Sequence, residues 1–185
     1  DDQKQHLELC RDIAQKFNTD FDIENFLQVP EPLIQKDFSR IMSLKDGSKK
    51  MSKSELSDLS RINLTDDRDL IINKIKKAKT DSLPMPKTTK DLDERLEAKN
   101  LLEIYSSLTN STVEKSIEKF SGKNFSEFKE NLSHVLVDKI EPISLEIKKL
   151  LNDQAYLDKI LREGFEKADL IASKKIKKIK EIVGF

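Results

Sequence analysis

Cysteine is almost absent from this chain: Cys10 is the single one in 185 residues. That excludes an internal disulfide framework and fits a reducing compartment, the cytoplasm. Cys10 falls on the apolar side of a helical pattern and reads as a small core residue. Histidine is as scarce, with His6 and His134 far apart. One thiol and two distant imidazoles make no recognisable metal-ligand cluster, so no protein-bound metal is expected. Glycine and proline number 4 and 5, too few for disordered linkers or a β-sandwich. No apolar run approaches the ~18 residues that span a bilayer, so no membrane partner is expected. No signal-peptide pattern opens the chain. It begins Asp1-Asp2 without an initiator Met and reads as a piece of a longer product. The 34 basic and 34 acidic residues cancel, so no global basic character argues for nucleic acid. What remains is a mainly α chain, long enough for one sizeable core or two small ones.

The most distinctive stretch is Lys50-Met51-Ser52-Lys53-Ser54, reached through Leu44-Lys45-Asp46-Gly47-Ser48-Lys49. Lys is a compact cation on a flexible stem with three rotatable donors, able to follow a phosphate as it moves. Two of them at i and i+3, with two Ser hydroxyls, line up donors along a short backbone. Gly47 permits unusual dihedrals, so the loop is expected to move as a lid. A well-placed donor of this kind contributes ~3–4 kcal/mol to a charged transition state. The alternative is a solvated polar loop in a Lys-Ser-rich chain.

Around this loop the chain reads as helices. Leu7, Cys10, Ile13, Ala14 and Phe17 form one stripe over 1–17. Pro30 and Pro32 interrupt an irregular stretch, 18–37, that Phe21, Ile23, Phe26 and Leu27 are expected to pin to a core. Residues 38–44 suit a short strand. Thr65 is the expected N-cap of a helix about 66–79, with Leu70, Ile71, Ile75 and Ala78 inside. Its terminal Lys76, Lys77 and Lys79 fit either the helix dipole or an RNA phosphate. Residues 83–90 read as a surface crossover, and Leu92 to Leu108 as a helix. Ser111 and Glu114 form a capping-box pattern before Val113, Ile117 and Phe120, closed by Gly122. Pro142 is expected to kink or break the helix begun at Phe125. Asp153 caps a long last helix bearing Lys174, Lys175, Lys177, Lys178 and Lys180. That basic face fits either nucleic-acid phosphate or a solvated helix end.

Lys-Met-Ser-Lys-Ser resembles the signature loop of class I aminoacyl-tRNA synthetases. Asp1-Asp2-Gln3-Lys4-Gln5-His6-Leu7, Arg40-Ile41-Met42-Ser43-Leu44, Lys77-Ala78-x-Thr80-Asp81-Ser82 and Asn100-Leu101-Leu102 resemble segments of the tryptophanyl-tRNA synthetases. The likeness is strongest over 1–18 and 40–82 and weakest over 83–97. Asp1 stands in place of the usual Glu, and Leu96 where many members have Pro. The resemblance implies that Asp1, Asp2, Ile41, Lys50, Met51, Ser52, Lys53 and Ser54 contact ATP, carried as its Mg2+ complex. Ile41, on residue type alone, reads as core. The resemblance gives Gln3 to tryptophan and makes Lys50 and Lys53 catalytic, by stabilising the triphosphate. The carboxylate nucleophile of an amino acid is ionised at pH 7 and needs no general base. Implied too are a Rossmann-type α/β catalytic domain, whose C-terminal part with one or few short strands is 1–82, and an all-helical tRNA-binding domain, 83–185. The expected activity is that of a tryptophan–tRNA ligase, a cytoplasmic homodimer whose partners are L-tryptophan, ATP and tRNA(Trp). The His-x-Gly-His motif is expected upstream, so the 185-residue piece alone is expected to be inactive. The alternatives are a non-catalytic helical module that binds RNA or protein, and a tyrosyl enzyme.

Overall fold

The computed structural model describes residues 4–33 and 40–185. Asp1, Asp2 and Gln3, expected to contact ATP and tryptophan, lie outside the described residues, as do Phe38 and Ser39 of the expected strand. The described chain is helical: α1 (Lys4–Asp20), α2 (Arg68–Lys77), α3 (Leu96–Leu108), α4 (Val113–Phe120), α5 (Phe125–Leu151) and α6 (Gln154–Val183). Short 3-10 turns occupy Asp58–Ser60 and Thr89–Leu92. Among the described residues the expected strands reduce to one antiparallel bridge, Met42 to Lys50.

Two compact units divide the chain, one comprising Asp1–Ile34 with Leu150–Phe185, the other Gln35–Lys149. The second holds the main core. Ile71 and Ile75 of α2, Leu101, Leu102 and Tyr105 of α3, Ile117 and Phe120 of α4, and Phe128, Leu132 and Leu136 of α5 are all buried in it. Each set recurs at helical spacing, so one face of every helix is apolar and burial holds that face inward. At the centre, the Tyr105 and Phe120 rings meet edge-on at 5.1 Å, and Phe120 and Phe128 at 4.9 Å. That is the geometry the ring quadrupole favours.

Several local expectations change. The N-cap of α2 is Asp67, whose carboxylate accepts the Leu70 amide at 2.9 Å, rather than Thr65. α4 is capped by Thr112, which accepts the Lys115 amide, and not by the Ser111–Glu114 pair. The expected start at Leu92 is a separate 3-10 turn, with a Thr88–Asp91 capping box of its own. The 83–90 crossover is not wholly on the surface: Met85 is buried and its backbone pairs with Lys123 and Gly122. α5 passes through Pro142 as one helix. Proline removes one backbone donor, and the remaining ladder and the core packing of its N-terminal half carry the helix on.

The first unit is less covered. In α1 only Ala14 is buried, while Ile13 and Cys10 are exposed, so Cys10 is not a core residue. A stripe shows which face is apolar and says nothing of what covers it. Phe17 stacks with Phe26 at 5.8 Å and tilts onto Phe21 at 4.8 Å. α6 has no buried residue along its length. No helix among the described residues is long and apolar enough to cross a membrane.

Candidate nucleotide-loop site

The signature loop hangs from a short backbone ladder. The Ser43 amide donates to the Lys49 carbonyl at 2.8 Å, and the Met51 amide to the Ile41 carbonyl at 3.0 Å. Between these runs lies a turn closed by the Lys49 amide on the Asp46 carbonyl, 3.1 Å. Asp46 stiffens it. Its carboxylate accepts the Ser48 hydroxyl at 2.6 Å and the Ser48 amide at 3.1 Å. These bonds, with Lys49 beside them, lower the Asp46 pKa to about 2.

The ladder is anchored on its other sides. The Leu44 amide donates to Ser60 O and the Lys79 amide to Leu44 O, both at 2.8 Å. Asn100 of α3 completes the edge with its side chain: Oδ1 accepts the Met42 amide at 2.9 Å, and Nδ2 donates to the Met42 carbonyl at 2.8 Å. Gly47 packs against the first turn of α3. A Cβ there would lie 2.7 Å from both Leu96 C and Glu97 N, so no other residue fits without movement. This corrects the expectation for Gly47. Its φ is not positive, so no unusual dihedral requires glycine here, and the residue serves close approach to α3. Glu97 takes Lys79 Nζ at 2.7 Å, and that contact, with the Gly47 amide, holds its carboxyl below the ordinary value. Lys79 is raised in turn, so this lysine has a partner within the fold.

Beyond the loop, residues 55–66 are tied to α2 by a buried cation. Lys74 Nζ lies 2.6 Å from Asp66 Oδ2 and 2.6 Å from Asp58 Oδ2. Asp66 also accepts the Asn63 amide at 2.9 Å. Arg61 donates to the Glu55 carbonyl at 2.9 Å and pairs with Asp58 at 3.0 Å.

Against this fixed base the pentapeptide divides by burial. Ile41 and Met51 are half-buried and pack on the core, so Ile41 has the core contacts its residue type suggests. Ser52 is half-buried, and its hydroxyl accepts the Ser54 amide at 3.2 Å. Lys50, Lys53 and Ser54 are exposed. The arrangement presents two cations within four residues on a base that does not have to reorganise. Among the described residues no group of three or more His, Cys, Asp or Glu is placed to hold a metal ion.

On α6, Lys174, Lys175, Lys177 and Lys178 are exposed. Lys175 is turned onto Phe26, with Nζ 3.9 Å from the ring centroid and donating to the Phe26 carbonyl. Asn100, Glu97 and Lys74 support the loop, and none of them stands out as a site residue in the sequence. The available signals were an Asn directly before the apolar pair Leu101-Leu102 and a Lys inside the stripe Ile71, Ile75, Ala78.

A family model described as tRNA synthetases class I (W and Y) matches residues 1–139. The chain is similar to the tryptophan–tRNA ligase of Caulobacter vibrioides, 49% identical over 185 residues, covering 100% of this chain and 54% of that protein. It is 51% identical over 185 residues to the tryptophan–tRNA ligase of Rickettsia felis, covering 100% of this chain and 55% of that protein. The crystal structure of tryptophanyl-tRNA synthetase from Mycoplasma pneumoniae matches with a TM-score of 0.82 at 29% identity, over 100% of this chain and 54% of that one. The chain thus spans about half the length of the relatives it matches. With its signature loop on an anchored ladder and the family match running from residue 1 to 139, this chain belongs to the class I tRNA synthetases of the W and Y type.

Proposed function

We propose that this chain supplies the signature loop and helical portion of a tryptophan–tRNA ligase. The observation that carries this is the exposure of Lys50 and Lys53 on a ladder pinned by Asn100, Leu44 and Gly47. Relatives of about half identity that bear that name support the choice of tryptophan.

In this reading, tryptophan's carboxylate oxygen attacks the α-phosphorus of ATP, the α–β bridging bond breaks and pyrophosphate departs. The acyl group then passes from the adenylate to a terminal ribose hydroxyl of tRNA(Trp), which loses its proton as AMP departs. Lys50 and Lys53 offset charge growing on the departing phosphates, and Mg2+ travels with ATP as part of the substrate. Met51 anchors the loop to the core, and Ser52 and Ser54 hold its turn. Ile41 borders the adenine, Asp1 and Asp2 contact ATP, and Gln3 contacts tryptophan. Residues 1–82 belong to the catalytic part and 83–185 to the helical part that meets tRNA. On α6, Lys174, Lys177 and Lys178 share a face and are the stronger phosphate contacts; Lys175 has first to leave Phe26. The working enzyme is a cytoplasmic homodimer, and the 185-residue chain alone does not catalyse adenylation.

The test is ATP–pyrophosphate exchange by the complete gene product, with tryptophan and tyrosine side by side. Exchange driven by tryptophan is expected. Exchange driven by tyrosine replaces the substrate, and exchange with neither leaves a non-catalytic helical module.

A further inference from the structure

We propose that Asn100 is a positioning residue for the signature loop, acting through Met42 on Lys50. Asn100 lies in α3, 58 residues from Met42, and is 2% exposed. Its amide makes the pair of bonds that a neighbouring strand would make, one to the Met42 amide and one to the Met42 carbonyl. The orientation is unambiguous, because a backbone amide needs an acceptor and a carbonyl needs a donor. Met42 is in turn the bridge partner of Lys50. A side chain thus sets the register of the strand whose partner begins the phosphate-binding pentapeptide.

No apolar residue of that size reproduces both bonds, and losing them leaves two backbone groups unsatisfied beside the core. The strand then relaxes, and the Lys50 ammonium moves with it. Displacement by about 1 Å at a reacting centre costs on the order of 100-fold in rate. The inference rests on the proposed tryptophan–tRNA ligase reading, and its test separates the two.

The complete gene product is compared as wild type, Asn100→Leu and Asn100→Asp, each also carrying Lys50→Ala. In pyrophosphate exchange both Asn100 variants should lose roughly 100-fold in kcat with the KM for tryptophan unchanged. In the Lys50→Ala background the same changes should cost less than about threefold, because the group being positioned is gone. Equal losses in both backgrounds, or a parallel rise in the tryptophan KM, overturn the positioning role and leave a structural one. A wild type inactive with either amino acid overturns the functional reading instead. Hydrogen exchange on the wild type gives an answer that does not depend on variant folding. The Met42 amide should be at least 100-fold slower than that of exposed Lys53, and equal rates refute the clamp.

Discussion

Lys74 and Asp66 form an ion pair with Nζ 2.6 Å from Oδ2, and their side chains are 0% and 4% exposed. Lys74 occupies a position in the α2 stripe where its neighbours Ile71 and Ile75 are core residues. The pair fastens the segment after the signature loop to that helix. Removing one partner strands the other charge, which for buried pairs costs about 3–5 kcal/mol. Lys74→Met should therefore lower stability by about that amount, measured by urea unfolding. Adding Asp66→Asn should recover at least half of the loss, because no buried carboxylate then lacks a partner; Asp58 is half-exposed and keeps Arg61. Full additivity would show that the two side chains are not coupled.

Gly47→Ala tests whether this residue serves close approach. The new methyl would meet Leu96 and Glu97 backbone at 2.7 Å, and backbone cannot swing aside as a side chain can. Overpacking of this kind costs about 1–3 kcal/mol. We expect a lower thermal midpoint together with weaker exchange activity. Wild-type stability and rate would mean that α3 yields freely at this point.

Alanine at Lys50 and at Lys53 tests the assigned chemistry. Loss of one well-placed donor is worth about 100- to 1000-fold in kcat. The double variant should fall by several orders of magnitude in pyrophosphate exchange while tryptophan binding, followed by calorimetry, is kept. Rates within tenfold of wild type would remove both lysines from the transition state.

Acid should loosen the loop base before it unfolds the core. The Asp46 pKa is depressed to about 2, chiefly by the Ser48 hydroxyl, and Glu97 and Asp58 are depressed by Lys79 and Lys74. A depressed folded-state pKa gives stability that is complete above the unfolded value and disappears as pH falls through the folded one. For Asp46 that window runs from 3.8 down to about 2. Denaturation midpoints should be flat near neutrality and decline below about pH 5, where carboxylates begin to protonate. Asp46→Asn should remove part of the decline below pH 4. An unchanged acid limb in that variant would show that the turn bonds do not discriminate the charged form.

Much of the helical architecture is visible as apolar period. Leu101, Leu102 and Tyr105, or Ile71 and Ile75, repeat at helical spacing, and burial follows because each helix has a neighbour to meet. Polar residues with distant partners were not visible in that way. Lys74 depends on a carboxylate eight residues back, and Asn100 on a backbone 58 residues away. The α2 cap shows the same limit. Thr65, Asp66 and Asp67 are all cap-competent by type, and because Asp66 is taken by Lys74 the cap falls to Asp67. Cys10 failed for the opposite reason, since its stripe is real but uncovered. The pentapeptide stood out through its resemblance to a family signature loop, whereas the anchoring of its base required the fold.

The Asn100–Met42 bonds also impose an order on the protein's birth. A ribosome releases the signature loop well before it releases α3, and the register-setting carboxamide follows Met42 by 58 residues. At about 5–20 residues per second, the nascent loop waits roughly 3–12 s for the group that closes its edge. During that interval the two backbone groups of Met42 are open to water, to other chains and to protease. Stalled nascent chains ending just before and well past α3 should therefore differ sharply in cleavage around Lys49–Lys53, and equal cleavage would show that the loop closes without its clamp.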